Sequence, residues 1–231
     1  MSKIKSYFAH LSTASKVVTI LIPALMLVFE IEGLLVFEFD MLAFMMAVIL
    51  LADILTDYFC FGGIYSKDGK VQNFYKISPK GKDVYMNVFL VHGIKRILLY
   101  FGFPLISTSL VFLLGKQEIS LALNGMTMAG YLLGTIGTAF GGYAYSLIGS
   151  LISRKWDMVM VSFAIAVWGT SFMMIFNLIK MWSPIHVKVI ILVVLIVISV
   201  AGTLFVMWYD RKKLEDSYYD EKSFKRNQSG V

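Results

Sequence analysis

The sequence predicts an all-α integral membrane protein with six transmembrane helices, both termini on the inner side and a short amphipathic helix at the N-terminus. Three observations predict it. The 231 residues are 58% hydrophobic and only 16% charged, where a soluble domain carries about 25% charged residues; the mean hydropathy is +0.75. Apolar runs long enough to cross a bilayer core of about 30 Å recur along the chain. Lysine and arginine are distributed unequally on the two sides of those runs.

Six runs qualify: Val17–Phe37, Met41–Gly62, Val88–Gly115, Ile119–Ile152, Asp157–Ile179 and Val189–Tyr209. The first two contain acids and share a very short turn, and the fourth is long enough to tilt, kink or project from the bilayer. All are expected to be helices, because a lone strand leaves backbone groups unsatisfied in hydrocarbon. With the N-terminus inside, the inner segments hold 18 of the 21 basic residues, and only Lys116, Lys180 and Lys188 fall outside. That bias fixes both termini inside and an even number of spans. The net charge of +6 is therefore a topology signal, and no nucleic-acid partner is expected.

Residues 1–16 place Ile4, Phe8 and Leu11 at helical spacing with Lys3, Lys5 and His10 off that face. Such a helix suits the inner headgroup layer, with membrane lipid as its partner. Residues 17–209 form the transmembrane domain, and 210–231 read as a charged, solvated cytosolic tail. The N-terminus lacks the pattern of a cleavable signal. A single Cys60 excludes a disulfide framework, and His10, His92 and His186 are far apart in sequence, so no metal site is expected.

Enzyme signatures are missing. The Gly-Lys pairs at Gly69, Gly81 and Gly115 have Ile64, Lys76 and Leu110 where a phosphate loop needs its upstream glycine. The chain is expected to be non-catalytic, with no cofactor of its own. The largest extramembrane piece is the inner loop, residues 63–87. Between two glycine-containing turns, Val71–Ile77 can form a two-turn helix presenting Val71, Phe74 and Tyr75 on one face, ended by Ser78-Pro79. A short helix with exposed aromatics parallel to the membrane is suited to dock into a partner's groove.

The run Phe74-Tyr75-Lys76-Ile77-Ser78-Pro79-Lys80-Gly81-Lys82, set between spans two and three of this topology, resembles the membrane subunits of type-2 ABC exporters. Ser78-Pro79 stands where that class often has Leu-Pro in a leucine-proline-isoleucine-serine type segment. The small size and short outer loops also resemble bacterial permeases that move amphipathic peptides, such as phenol-soluble-modulin exporters and lantibiotic-immunity permeases. The resemblance implies a multi-pass subunit of the bacterial cell membrane. It implies a second permease subunit, in a homodimer, around a central path for amphipathic or hydrophobic cargo. It also implies separate ATP-binding subunits, carrying ATP and Mg, that grip a cytosolic coupling helix through Val71, Phe74, Tyr75, Ile77 and Pro79.

Charges inside spans are costly and mark roles. Asp53 and Asp57 lie four apart on one face of span two, and Lys95 and Arg96 enter span three from the same side. They read either as the translocation path or inner gate, or as a salt-bridged pair fixing two helices. The alternative function, an ion- or proton-coupled carrier or channel, would use Asp53 and Asp57 as a titrating pair. Such carriers usually show repeat symmetry, and no internal repeat is visible. In span four, Gly130, Gly134, Gly137 and Gly141 share one face, as a close helix-packing surface requires. Glu30, Glu32, Glu38 and Asp40 cluster at the first outer turn, as an acidic mouth or a solvated turn. Trp156, Trp182 and Trp208 fall at span ends, as interface anchors do. Pro23 and Pro104 lie inside spans one and three, and Pro184 sits in the last outer turn.

Overall fold

A computed structural model describes residues 3–11, 13–33, 42–65, 81–113, 127–155, 164, 167–171 and 184–219. Among the described residues there is no strand. The elements in chain order are α1 (Lys3–His10), α2 (Thr13–Glu32), α3 (Leu42–Tyr65), α4 (Gly81–Ile97), a π-helical turn (Leu98–Gly102), α5 (Phe103–Leu113), α6 (Met128–Lys155) and α7 (Ile185–Tyr219). Two stretches of 28 residues, Asp83–Leu110 and Ile185–Lys212, are long and apolar enough to cross a membrane.

The boundaries follow local chemistry. Thr127 caps α6, its Oγ1 accepting the Gly130 N–H at 3.2 Å, which satisfies one of the orphan donors of the first turn. Pro184 opens α7, its carbonyl accepting from the N–H groups of Val187 and Lys188 at 3.1 Å each; proline suits this position because its missing N–H would have had no intrahelical partner. The stretch expected as span three is one helical path, α4 to α5, carrying the π turn just before Pro104. Pro104 has no N–H to offer the carbonyl of Tyr100, and its ring would clash with that carbonyl in a regular α-helix. The wider π turn relieves the clash, so Pro104 is accommodated by a register change.

One side of that turn faces inward, while Leu98 on the other side is exposed. Tyr100 is buried and meets Tyr143 of α6 edge-on at 6.2 Å, while Phe101 packs against Phe140 at 4.8 Å. The centre of the fold is α3, where Leu42, Met45, Met46, Ile49, Leu50 and Ile54 are each at most 1% exposed. α3 packs against α2 and α6, α6 packs against α7, and α1 lies along α4. Outward surfaces are apolar: Leu21, Leu25, Val28 and Phe29 on α2, Leu105 and Ile106 on α5, and Ile190, Val193, Val197 and Leu204 on α7 are all exposed.

Several boundaries differ from those expected. The first long helix starts at Thr13 rather than Val17, after a bend at Leu11. α6 runs on to Lys155, past Ile152. α7 continues through Tyr219, ten residues beyond Tyr209, so the first part of the expected tail is helix. Asp210 is buried there, and Lys212 caps the face of Trp208 with its ammonium 5.1 Å from the ring centre. The face assigned to α1 also divides. Ile4 and Phe8 point outward as expected, but Leu11 turns inward with Tyr7. The expected fifth span falls mostly outside the described residues; within it, 167–171 is helical, and Gly169 lies against Tyr145 and Leu50.

Candidate functional site

On α3, Asp53 and Asp57 stand one turn apart, and on α4, His92, Lys95 and Arg96 stand at spacings of three and four. These spacings put each set on one helix face, and the two faces meet. Arg96 Nε donates to Asp53 Oδ2 at 2.7 Å, and its Nη2 donates to Asp57 Oδ1 at 3.2 Å. Lys95 Nζ lies 3.0 Å from Asp53 Oδ1. His92 Nε2 lies 3.0 Å from the same Asp57 Oδ1, and Tyr7 of α1 brings its hydroxyl to 3.2 Å from His92 Nδ1.

The donors fix the histidine tautomer. An ionised carboxylate only accepts, so Nε2 carries the proton given to Asp57, and Nδ1 accepts the Tyr7 hydroxyl. The 3.3 Å approach of Arg96 Nη2 to His92 Nε2 is then a close contact of two donors, imposed by their shared acceptor. With His92 neutral, two carboxylates face two cations and the cluster balances. Asp53, Asp57, His92 and Arg96 are each at most 2% exposed, so screening by salt is weak. Such a network is worth little over an apolar core when complete, yet removing one member costs about 3–5 kcal/mol, because a buried charge is left alone.

Lys95 is the member nearest the surface. It and Asp53 border a cleft the size of about one water molecule, closed on the other side by Thr19 and Pro23 of α2.

Glu30 departs from both readings given for the outer acids. It is fully buried and accepts a hydrogen bond from Ser107 Oγ of α5. It therefore contributes neither to an acidic mouth nor to a solvated turn; it joins α2 to α5. Glu32 is exposed, and Glu38 and Asp40 lie outside the described residues.

Gly130, Gly134, Gly137 and Gly141, the α6 glycines expected to share one packing face, are buried. A Cβ on Gly130 would sit 3.5 Å from Nζ of Lys188, which is buried at the start of α7. The tightest approach among those described on α6 is at Gly142, where a Cβ would meet the Tyr100 ring at 3.0 Å. Three hydroxyls of this helix bond carbonyls within it: Thr138 that of Gly134, Ser146 that of Tyr143 and Ser150 that of Leu147. Thr203 of α7 likewise gives its proton to the Ser199 carbonyl at 2.7 Å, so Tyr143 is the donor in the 2.9 Å bond between Tyr143 and Thr203.

Val71, Phe74, Tyr75, Ile77 and Pro79 lie outside the described residues. Among the described residues, no group of three His, Cys, Asp or Glu could hold a metal ion. The sequence reading brought forward Asp53, Asp57, Lys95 and Arg96 but passed over Tyr7 and His92. A signal for His92 existed: it lies four residues before Arg96, on the face that meets α3. Nothing in the spacing pointed to Tyr7, whose neighbour is 85 residues away.

No protein-family model matches the chain, and no curated protein or solved structure is detectably similar to it.

Proposed function

We propose that this chain is the membrane-spanning permease subunit of an ATP-driven exporter, moving amphipathic or hydrophobic cargo and drawing energy from a separate ATP-binding subunit. The observation that carries this reading is the placement of the charge cluster. Residues 66–80 connect the end of α3 at Tyr65 to the start of α4 at Gly81, and these are the two helices that Asp53, Asp57, Lys95 and Arg96 clamp together. A push on that connecting segment is passed to a hairpin that resists splaying. The lever would carry Phe74 and Tyr75 at its tip, with the clamp as the inner gate.

Six spans with both termini inside are part of this proposal. They are supported by two helices of spanning length and composition, by the exposed apolar faces of α2, α5 and α7, and by the basic-residue bias. Burial of charge with exposure of aliphatic surface is the arrangement lipid favours. A proton- or ion-coupled carrier built on Asp53 and Asp57 finds less support, since both carboxylates already serve Arg96.

The test is to isolate the protein from native membranes with its companions and assay ATP hydrolysis in reconstituted vesicles. An ATP-hydrolysing subunit is expected to co-purify, and Phe74→Ala with Tyr75→Ala is expected to abolish its stimulation while the permease stays folded. Solute movement driven by the purified chain alone would overturn the proposal.

A further inference from the structure

α1 is short, only eight residues, and a helix of that length is not stable by itself in water. Its two sides are occupied differently. Ile4 is 61% exposed and Phe8 37%, whereas Tyr7 is 2% exposed and Leu11 4%. The buried side lies on α4, and the polar contact described there is the Tyr7 hydroxyl on His92 Nδ1. The bonds described from His92 to the cluster run through Asp57 and Arg96. Because Asp57 accepts at Nε2, it holds the imidazole with Nδ1 bare and turned toward Tyr7. Asp57 on α3 thereby prepares the acceptor for a helix it does not itself contact through any bond described.

We infer that Tyr7, His92 and Asp57 form a tether that fastens the N-terminal helix to the α3–α4 clamp, with His92 and Asp57 as positioning residues for the Tyr7 hydroxyl. The helix then presents Ile4 and Phe8 to the lipid surface on one side while the other side is bonded into the charge cluster. Movement of the clamp is felt by α1, and strain at the lipid surface is felt by the clamp. This goes beyond the permease reading, and the tether does not depend on it.

Amide hydrogen exchange of the purified full-length protein in lipid nanodiscs, resolved by helix, tests the tether with no ATPase present. Tyr7→Phe removes only the hydroxyl, and a net hydrogen bond of this kind slows opening by about three- to tenfold. Exchange in residues 3–10 is expected to quicken by that factor while α6 keeps its wild-type rate. Asp57→Leu is expected to quicken α1 as well, through loss of the fixed tautomer. Asp57→Asn retains an oxygen that accepts from Nε2 and is expected to restore most of the protection. Asp53→Asn disturbs the charge cluster but keeps the Asp57 acceptor, and is expected to quicken α1 by no more than it quickens α6. If Tyr7→Phe leaves exchange in α1 at the wild-type rate, apolar packing of the ring and Leu11 is what holds the helix, and the tether is refuted. Equal acceleration in α6 and α1 for Tyr7→Phe refutes it too, as a general loss of stability. A missing ATPase companion would remove the permease reading and leave these outcomes untouched.

Discussion

Arg96 and Asp53 meet at 2.7 Å across 43 residues of sequence, with neither side chain more than 2% exposed. The planar guanidinium also reaches Asp57, so one residue on α4 engages two successive turns of α3. A lysine offers a point charge and no fork, and Lys95 accordingly contacts a single carboxylate.

Removing the centre of this cluster should be costly in a way that removing the whole cluster is not. Arg96→Met leaves Asp53 with Lys95 and Asp57 with His92 in place of the shared guanidinium, and is expected to cost about 3–5 kcal/mol, lowering thermal stability in detergent. Adding Asp53→Asn and Asp57→Asn to Arg96→Met should recover much of that loss. A triple variant less stable than Arg96→Met would show that Lys95 and His92 hold the carboxylates as firmly as Arg96 does.

Burial also predicts insensitivity to salt. Raising sodium chloride from about 0.05 to 0.5 M shortens the screening length well below 10 Å, yet wild-type stability should hold, because Asp53 and Arg96 are out of reach of counterions. A steep fall in melting temperature across that range would mean that solvent enters the α3–α4 seam.

Close approach at glycine predicts a graded response. A Cβ at Gly142 would press the Tyr100 ring at 3.0 Å, so Gly142→Leu is expected to cost about 1–3 kcal/mol by overpacking. Gly169→Ala faces contacts of 2.5 Å to Tyr145 and 2.7 Å to Leu50 and should also destabilise. Gly93, with nothing within 4 Å of the added atom, should tolerate alanine. Melting curves of the three variants decide the order.

The bond from Tyr143 to Thr203 ties α6 to α7. A double-mutant cycle of Tyr143→Phe and Thr203→Val should return a coupling of about 0.6–1.7 kcal/mol, the range for hydrogen bonds between helices in lipid. Zero coupling in unfolding titrations would show that the α6–α7 interface does not rest on this bond.

Glu30 and Ser107 supply a further cross-helix acid contact. Glu30→Gln keeps an acceptor for the Ser107 hydroxyl and should be mild, while Glu30→Ala removes the acceptor and should cost about 1–3 kcal/mol. If both substitutions are equally mild, the α2–α5 contact does not rest on this bond.

Composition and spacing were enough for the helical class. Apolar content, helical periodicity and the side bias of lysine and arginine are local or summed properties, readable without knowing which helices touch. The pairing of Asp53 and Asp57 with Arg96 was legible for the same reason: charges four apart share a face, and two such faces on consecutive helices find each other. What the tertiary structure decided was the set of partners with no sequence spacing in common. Tyr7 reaching His92, Ser107 reaching Glu30, and Tyr100 swung onto Gly142 by the turn before Pro104 depend on how helices cross. Glu30 illustrates the reason most plainly: a carboxylate near a predicted turn reads as solvated until a neighbouring helix covers it, and which helix does so is set by packing of the whole bundle. The length of α7 was likewise hidden, because charged residues past Tyr209 resemble a tail until Asp210 is buried and Lys212 settles on Trp208.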